Sequence, residues 1–182
     1  MFKIFIDGQN GTTGLQIKDR LAERGDIELI ELLDAERKTD AAKRAALDAA
    51  DVAILCLPDD AARQTAALAK KTRLIDASTA HRTHPDWTYG LPELCPEQRR
   101  KIQTAQRVSN PGCYPTGFIL LVRPLIALGL LKPEQAIFVS ALSGYSGGGK
   151  AMIKDYQDQS QTACRPYGLT LKHKHLAEMT QF

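Results

Sequence analysis

The sequence has no two cysteines at C-x-x-C spacing. Cys56, Cys95, Cys113 and Cys164 stand apart, so no metal site of the structural zinc type is expected. In a reducing compartment disulfides are not expected either. No apolar run reaches the roughly 18 residues that a bilayer span needs. The longest, from Phe118 to Leu131, is broken by Arg123 and Pro124. The start, Met1-Phe2-Lys3-Ile4-Phe5-Ile6-Asp7-Gly8, lacks the basic region and long apolar core of a secretory signal, and a cytoplasmic location is expected. There is no strong charge excess. Lys and Arg number 24 against 21 Asp and Glu, a net charge of +3. That is too weak to argue for nucleic acid, but it suits a small anionic ligand. No internal repeat and no low-complexity linker is visible.

What is present is an ordinary globular composition, 43% hydrophobic and 25% charged. The 182 residues suffice for one domain, or for one domain and a smaller one. Short apolar runs alternate with Ala-rich amphipathic stretches. Strands are expected at Lys3–Asp7, Ile27–Leu33, Val52–Leu57 and Arg73–Asp76. Helices are expected at Thr12–Arg24, Asp40–Ala50 and Asp59–Lys71. Such alternation predicts an α/β fold with a doubly wound, Rossmann-like parallel sheet. The strands lack polar alternation, as in sheets covered on both faces. From Ala77 to Glu97 the pattern loosens, and long structured connections tend to carry function. Beyond it the sequence predicts a helix at Pro96–Ala105, a strand at Arg107–Ser109, a buried helix at Pro115–Leu130, a strand at Gln135–Leu142, a helix at Lys150–Gln159 and a strand at Leu169–His173. A boundary near Ser109 divides the chain into two parts, 1–109 and 110–182.

Two glycine-bearing runs carry most of the chemical information. Gly8-Gln9-Asn10-Gly11-Thr12-Thr13-Gly14 lies between the first strand and the first helix. Glycines there allow positive φ and close approach to phosphate, and the helix N-terminus supplies free N–H groups. The spacing is G-x-x-G-x-x-G rather than the commoner G-x-G-x-x-G. No G-K-[ST] ending follows, which disfavours an ATP-type phosphate loop. The end of the second strand reads Leu33-Asp34-Ala35-Glu36-Arg37-Lys38. Asp34 favours NAD through its ribose hydroxyls, and Arg37 with Lys38 favours NADP through its 2′-phosphate. These residues alone leave the choice open. A further run, Ser143-Gly144-Tyr145-Ser146-Gly147-Gly148-Gly149-Lys150, reads either as a flexible turn or as an anion cradle of backbone amides with Lys150.

The most informative run is Ser109-Asn110-Pro111-Gly112-Cys113-Tyr114-Pro115-Thr116-Gly117. Pro115 suits the first turn of a helix, where its missing N–H is no loss. Cys113 then sits at a helix N-terminus, whose partial positive charge favours a thiolate nucleophile. The free N–H groups there can hold a substrate oxyanion. A thiolate nucleophile needs an acid/base partner. His81 and His84 read as loop residues. His173-Lys174-His175 precedes Leu176-Ala177-Glu178, so Glu178 can orient an imidazole if Leu176 opens a helix. No third ligand set accompanies the H-x-H pair, and no metal is expected.

With Asp76-Ala77-Ser78-Thr79-Ala80-His81-Arg82 and Tyr89-Gly90-Leu91-Pro92-Glu93, these runs resemble the N-acetyl-γ-glutamyl-phosphate reductases, and among them the shorter of two types. The resemblance spans essentially the whole chain. It implies NADPH-dependent reduction of N-acetyl-γ-glutamyl phosphate to N-acetyl-glutamate semialdehyde, in arginine biosynthesis. It implies Cys113 as catalytic nucleophile and His175 and His173 as the other catalytic residues, His175 as acid/base and His173 positioning the substrate. It places Ser143, Tyr167 and Glu178 near substrate, and Arg82 is a candidate anion contact. The preference for NADPH favours Arg37 and Lys38. The cofactor-binding set is then Gly8, Gly11, Thr12, Thr13, Gly14, Arg37, Lys38 and Asn110. Members of the family continue well past the position of Phe182. The resemblance therefore implies an NAD(P)-binding Rossmann-like domain, 1–109, followed by part of an α+β catalytic and dimerisation domain, 110–182, with weak or no turnover, and a homo-oligomer where that domain is complete. Two other readings are an aspartate-semialdehyde dehydrogenase-like enzyme and a dinucleotide-binding remnant without turnover.

Overall fold

The computed structural model describes residues 1–9, 11–158, 164, 166 and 168–182. Six strands form one sheet: β1 (Phe2–Asp7), β2 (Ile27–Ile30), β3 (Val52–Leu55), β4 (Arg73–Asp76), β5 (Thr88–Tyr89) and β6 (Arg107–Ser109). Their order is β2-β1-β3-β4-β6-β5, and every pairing is parallel. The connecting helices are α1 (Thr12–Ala22), α2 (Asp40–Ala49), α3 (Asp59–Leu68) and α4 (Gln98–Thr104). Right-handed crossovers put α1 on one face and α2 and α3 on the other. This is the doubly wound sheet that the alternation predicts. The chain leaves β1 toward β2 and returns past it to β3, so the sheet has its switch point between β1 and β3. Ligands bind outside the carboxyl ends of the strands at such a point.

The core lies between the sheet and α2 and α3. Phe5, Ala46, Leu47, Ala53, Leu55, Ala66, Leu74 and Trp87 form one buried cluster. Leu47, Leu55 and Leu74 are fully buried, each worth about 2 kcal/mol in apolar burial. A smaller cluster joins Tyr89, Leu91 and Ile119, with Phe118 and Phe182 packed against it. It ties the edge of the sheet to α5 (Cys113–Ala127) and α7 (Leu176–Gln181). A 3-10 turn at Tyr145–Gly148 leads into α6 (Gly149–Asp158).

The second half departs from the sequence pattern in four places. The helix with Pro115 in its first turn begins two residues earlier, at Cys113. That helix is apolar but only partly buried: Ile119 is 2% exposed, whereas Leu121 is 74% exposed. Residues 135–142 form no strand, and neither do 169–173. Extended backbone needs a neighbour to take its N–H and C=O groups. Among the described residues no strand lies beside either segment. Residues 168–171 instead close a turn, Leu171 N–H to Gly168 C=O at 3.1 Å, with Leu171 at φ 55°. The structure adds β5, too short for any periodicity to reveal.

Candidate active site

Because all six strands are parallel, their carboxyl ends share one edge of the sheet, and both glycine-bearing motifs open there. Gly8 follows β1 at φ 91°. A Cβ on it would stand 2.2 Å from the Cys56 carbonyl oxygen, and one on Gly14 would stand 2.3 Å from the Gly8 carbonyl oxygen. Backbone thus approaches backbone at both positions, and only glycine fits. A cavity of about 550 Å³ opens beside the loop, lined among others by Gly8, Gly11, Arg37, Lys38, Lys43, Pro58 and Gln64. Thr13 is exposed on the first turn of α1, and Thr12 opens that helix. Cys56 also lines the cavity, and burial pushes its thiol up to about 11. It is an inert hydrophobe rather than a nucleophile.

The acidic and basic residues after β2 do not compete for one place. Arg37 bonds Asp34 at 2.8 Å, and Asp34 is 84% exposed while Arg37 and Lys38 line the cavity. Beneath them lies a group that the sequence reading passed over. Lys43 Nζ reaches Asp7 Oδ2 at 2.8 Å, and Thr65 donates to the same oxygen at 2.8 Å. The three link α2 and α3 to the end of β1. The signal was an acidic residue closing an apolar strand, opposite a lysine in an Ala-rich helix.

At the end of β6, Gly112 caps α5 and Cys113 is its first residue. The first bonds of the helix run from Thr116, whose N–H and hydroxyl both donate to the Gly112 carbonyl, at 3.0 and 2.8 Å. The N–H groups of Cys113 and Tyr114 lie ahead of that bond, and Pro115 has none. Cys113 is exposed. Asn110 donates its N–H to the Asp76 carbonyl at 2.7 Å and holds the turn against β4.

His175 is buried beside this cap. A Cβ on Gly112 would come within 2.9 Å of its ring carbon Cδ2. Burial, reinforced by His173, pulls its imidazole down to about 4. Its Nδ1 has no hydrogen-bond partner among the described residues. The His173 ring lies edge-on to it, centroids 4.5 Å apart, and His173 Nδ1 accepts the His175 backbone N–H at 3.2 Å.

Leu176 does open a helix, but Glu178 binds other groups than an imidazole. Its Oε1 takes Arg82 Nη1 at 3.0 Å; its Oε2 takes the Tyr89 hydroxyl at 2.7 Å and the Gly112 N–H at 2.8 Å. Arg82 and Glu178, both expected to face substrate, are buried and paired with each other. Burial and the bond to Glu178 push the Tyr89 hydroxyl well above its usual range. Of the loop histidines, His81 is buried, bonded to Asp76 at 2.6 Å and stacked on Trp87. Ser143 is exposed. It follows Leu142, whose carbonyl accepts the Tyr114 hydroxyl at 3.0 Å. Tyr167 lies outside the described residues.

A dinucleotide-type cradle after β1 and a capped cysteine after β6 thus open at one edge of the same sheet. Residues 34–102 match the semialdehyde dehydrogenase NAD binding domain, and residues 113–182 match the semialdehyde dehydrogenase dimerisation domain. The chain belongs to the semialdehyde dehydrogenase family. Within that family it is similar to curated N-acetyl-gamma-glutamyl-phosphate reductases. It is 54% identical to that of Brucella anthropi over 97% of this chain and 60% of the relative. It is 53% identical to that of Mesorhizobium japonicum over 99% of this chain and 60% of the relative. The chain thus spans about 60% of the length of these relatives. Its fold matches solved semialdehyde dehydrogenases at low identity. The aspartate semialdehyde dehydrogenase of Francisella tularensis aligns at TM-score 0.63 and 18% identity, over 98% of this chain and 55% of that one. That of Vibrio cholerae, complexed with ASA, aligns at 0.55 and 18%, over 87% and 51%.

Proposed function

We propose that this chain carries the cofactor site and the nucleophile of an NADPH-dependent N-acetyl-γ-glutamyl-phosphate reductase, an oxidoreductase of arginine biosynthesis working in the cytoplasm. One observation carries the reading: Cys113 stands exposed as the first residue of α5, on the sheet edge where the Gly8 loop opens. The division at residue 109 follows, with 1–109 binding the dinucleotide and 110–182 bringing the reacting groups.

The residues present suit a phosphorylated dinucleotide. Gly8 and Gly14 leave backbone bare where a Cβ would collide, and Gly11, Thr12 and Thr13 lead into the N-terminus of α1, which favours phosphate. Arg37 and Lys38 line the cavity while Asp34 turns outward, which supports NADPH over NADH. Asn110 borders the site from the β6 side. When bound, the cofactor supplies a hydride.

The chain's own part is acyl transfer. The Cys113 thiolate attacks the acyl phosphate carbonyl carbon, a C–S bond forms, and phosphate leaves with the bonding pair. The N–H groups of Cys113 and Tyr114 face the developing oxyanion. Once the thioester carbon is reduced, the tetrahedral oxygen re-forms the carbonyl, the C–S bond breaks with its electron pair returning to sulfur, and aldehyde and the Cys113 thiolate are released. His175, neutral near pH 7, takes the Cys113 thiol proton and returns it to the departing phosphate, and His173 positions the substrate. Ser143 and Tyr167 contribute to the substrate side, and the completed enzyme is a homo-oligomer.

The test is phosphate-dependent reduction of NADP with N-acetyl-glutamate semialdehyde, beside Cys113→Ala. Activity that needs phosphate and falls by about a thousandfold or more in the variant supports the reading. Turnover that survives in Cys113→Ala overturns it. NADPH binding and Cys113 alkylation without turnover would favour a cofactor-binding portion that needs the rest of the relatives' length.

A further inference from the structure

We propose that Arg82 and Glu178 form a charge-balanced positioning pair, closed on Gly112, which fixes the His175 ring and the amide ahead of Cys113 in one arrangement. The inference deepens the reductase reading and rests on Cys113 as nucleophile and His175 as proton carrier.

The geometry converges on one carbon. A Cβ on Gly112 would lie 2.8 Å from Arg82 Nη1, 2.8 Å from Glu178 Oε1 and 2.9 Å from His175 Cδ2. Three side chains from two distant parts of the sequence therefore meet at the residue before the nucleophile. The side chains of Arg82 and Glu178 are 9% and 2% exposed. A buried pair of this kind adds little net stability against an apolar replacement, yet breaking it leaves an uncompensated charge. Its position therefore asks for another role. Glu178 accepts the Gly112 N–H at 2.8 Å. It uses up the donor at the cap and leaves those of Cys113 and Tyr114 for substrate. The second Arg82 nitrogen donates to the Ala77 carbonyl at 3.0 Å. That bond anchors the pair to the loop after β4, and so to the cofactor half of the chain.

The charges also act on His175. Arg82 disfavours a proton on the ring and Glu178 favours one. They act in opposite senses on a ring that burial already holds neutral. The other groups facing the ring are His173 and Lys174 from its own segment and Tyr114 from α5, with Tyr89 of β5 bonded to Glu178. Lys174 acts in the same sense as Arg82, and none of them takes the part of Glu178.

The experiment is a nuclear magnetic resonance titration of His175 in the 182-residue chain, assigned by loss of its signal in His175→Gln. It is repeated in Arg82→Gln and Glu178→Gln, with site-resolved iodoacetamide alkylation of Cys113 read against Cys164. We expect Arg82→Gln to raise the His175 midpoint by about one pH unit. Glu178→Gln should leave it at or below that of the parent. A pair that merely filled space would, once loosened, admit water and raise the midpoint in both variants, and that result overturns the proposal. So does an unmoved midpoint in Arg82→Gln. If Arg82→Gln does not fold, the isosteric Glu178→Gln decides alone: a rise overturns, no rise supports. Alkylation of Cys113 no faster than Cys164, with the expected His175 midpoints, would count against the nucleophile while leaving the pair intact.

Discussion

Gly8 is held by two constraints at once: its φ is 91°, and a Cβ there would meet the Cys56 carbonyl at 2.2 Å. The obstacle is backbone just past the end of β3, which cannot swing aside. Gly8→Ala should destabilise the chain by about 2 kcal/mol or more and abolish NADPH binding. Urea unfolding and fluorescence titration check the two halves. His175 sets a pH dependence of its own. The unfolded chain binds a proton on this ring at about 6.5, the folded chain only at about 4. Between those values the unfolded state holds more protons, so stability rises with pH across the window. Acidification from pH 6.5 to about 4 should therefore cost on the order of 2 kcal/mol, with no further loss from this group below that. His175→Gln should flatten this part of the curve, measured by urea midpoints at successive pH values. At this scale the sequence was legible where chemistry needs a particular local shape. Cys113 and Gly8 are marked by neighbours that only a turn or cap tolerates. Arg82 and Glu178 were legible as residues but not as partners, because nothing local tells that two charged groups 96 positions apart will bury together.

Elements were readable to the extent that each closes its own hydrogen bonds or alternates with a covering helix. Strand β4 and strand β6 lie where the apolar runs put them, and α2 ends within a residue of its expected end. Residues 135–142 carry the same apolar signal as β6, yet form no strand, because pairing is supplied by a neighbour and not by the segment. The start of α5 was misplaced for a related reason. Proline is allowed throughout the first turn, so it marks the turn and not the first residue. The link between α2, α3 and β1 depends on Lys43, Asp7 and Thr65, whose meeting follows from topology alone. Lys43→Met should remove the only cation bonded to buried Asp7 among the described residues and cost about 3 kcal/mol. Adding Asp7→Asn should restore part of that loss. Chemical denaturation of both variants and the double variant gives the coupling energy. Full additivity would show that the ion pair does not join α2 to the sheet.

Taken whole, the molecule has two unequal halves. The sheet and its helices bury their apolar residues in one cluster, whereas α5 buries only Pro115 and Ile119 and the segment after it leaves most of its apolar residues on the surface. Leu121 is 74% exposed, Leu130 72%, Phe138 88% and Leu142 95%. Exposed apolar side chains in such number are what interaction faces present, and this region matches the dimerisation domain of the family. The chain should therefore self-associate in a concentration-dependent way and bind a hydrophobic dye. Leu121→Lys with Leu128→Lys should lower dye binding and shift sedimentation toward smaller species. Because both side chains already face solvent, the unfolding free energy should change by no more than about 0.5 kcal/mol per substitution. A large loss of stability would mean instead that these leucines pack within a single chain. An unchanged sedimentation profile would place the associating surface elsewhere, on 137–142, where Phe138→Lys is the corresponding variant.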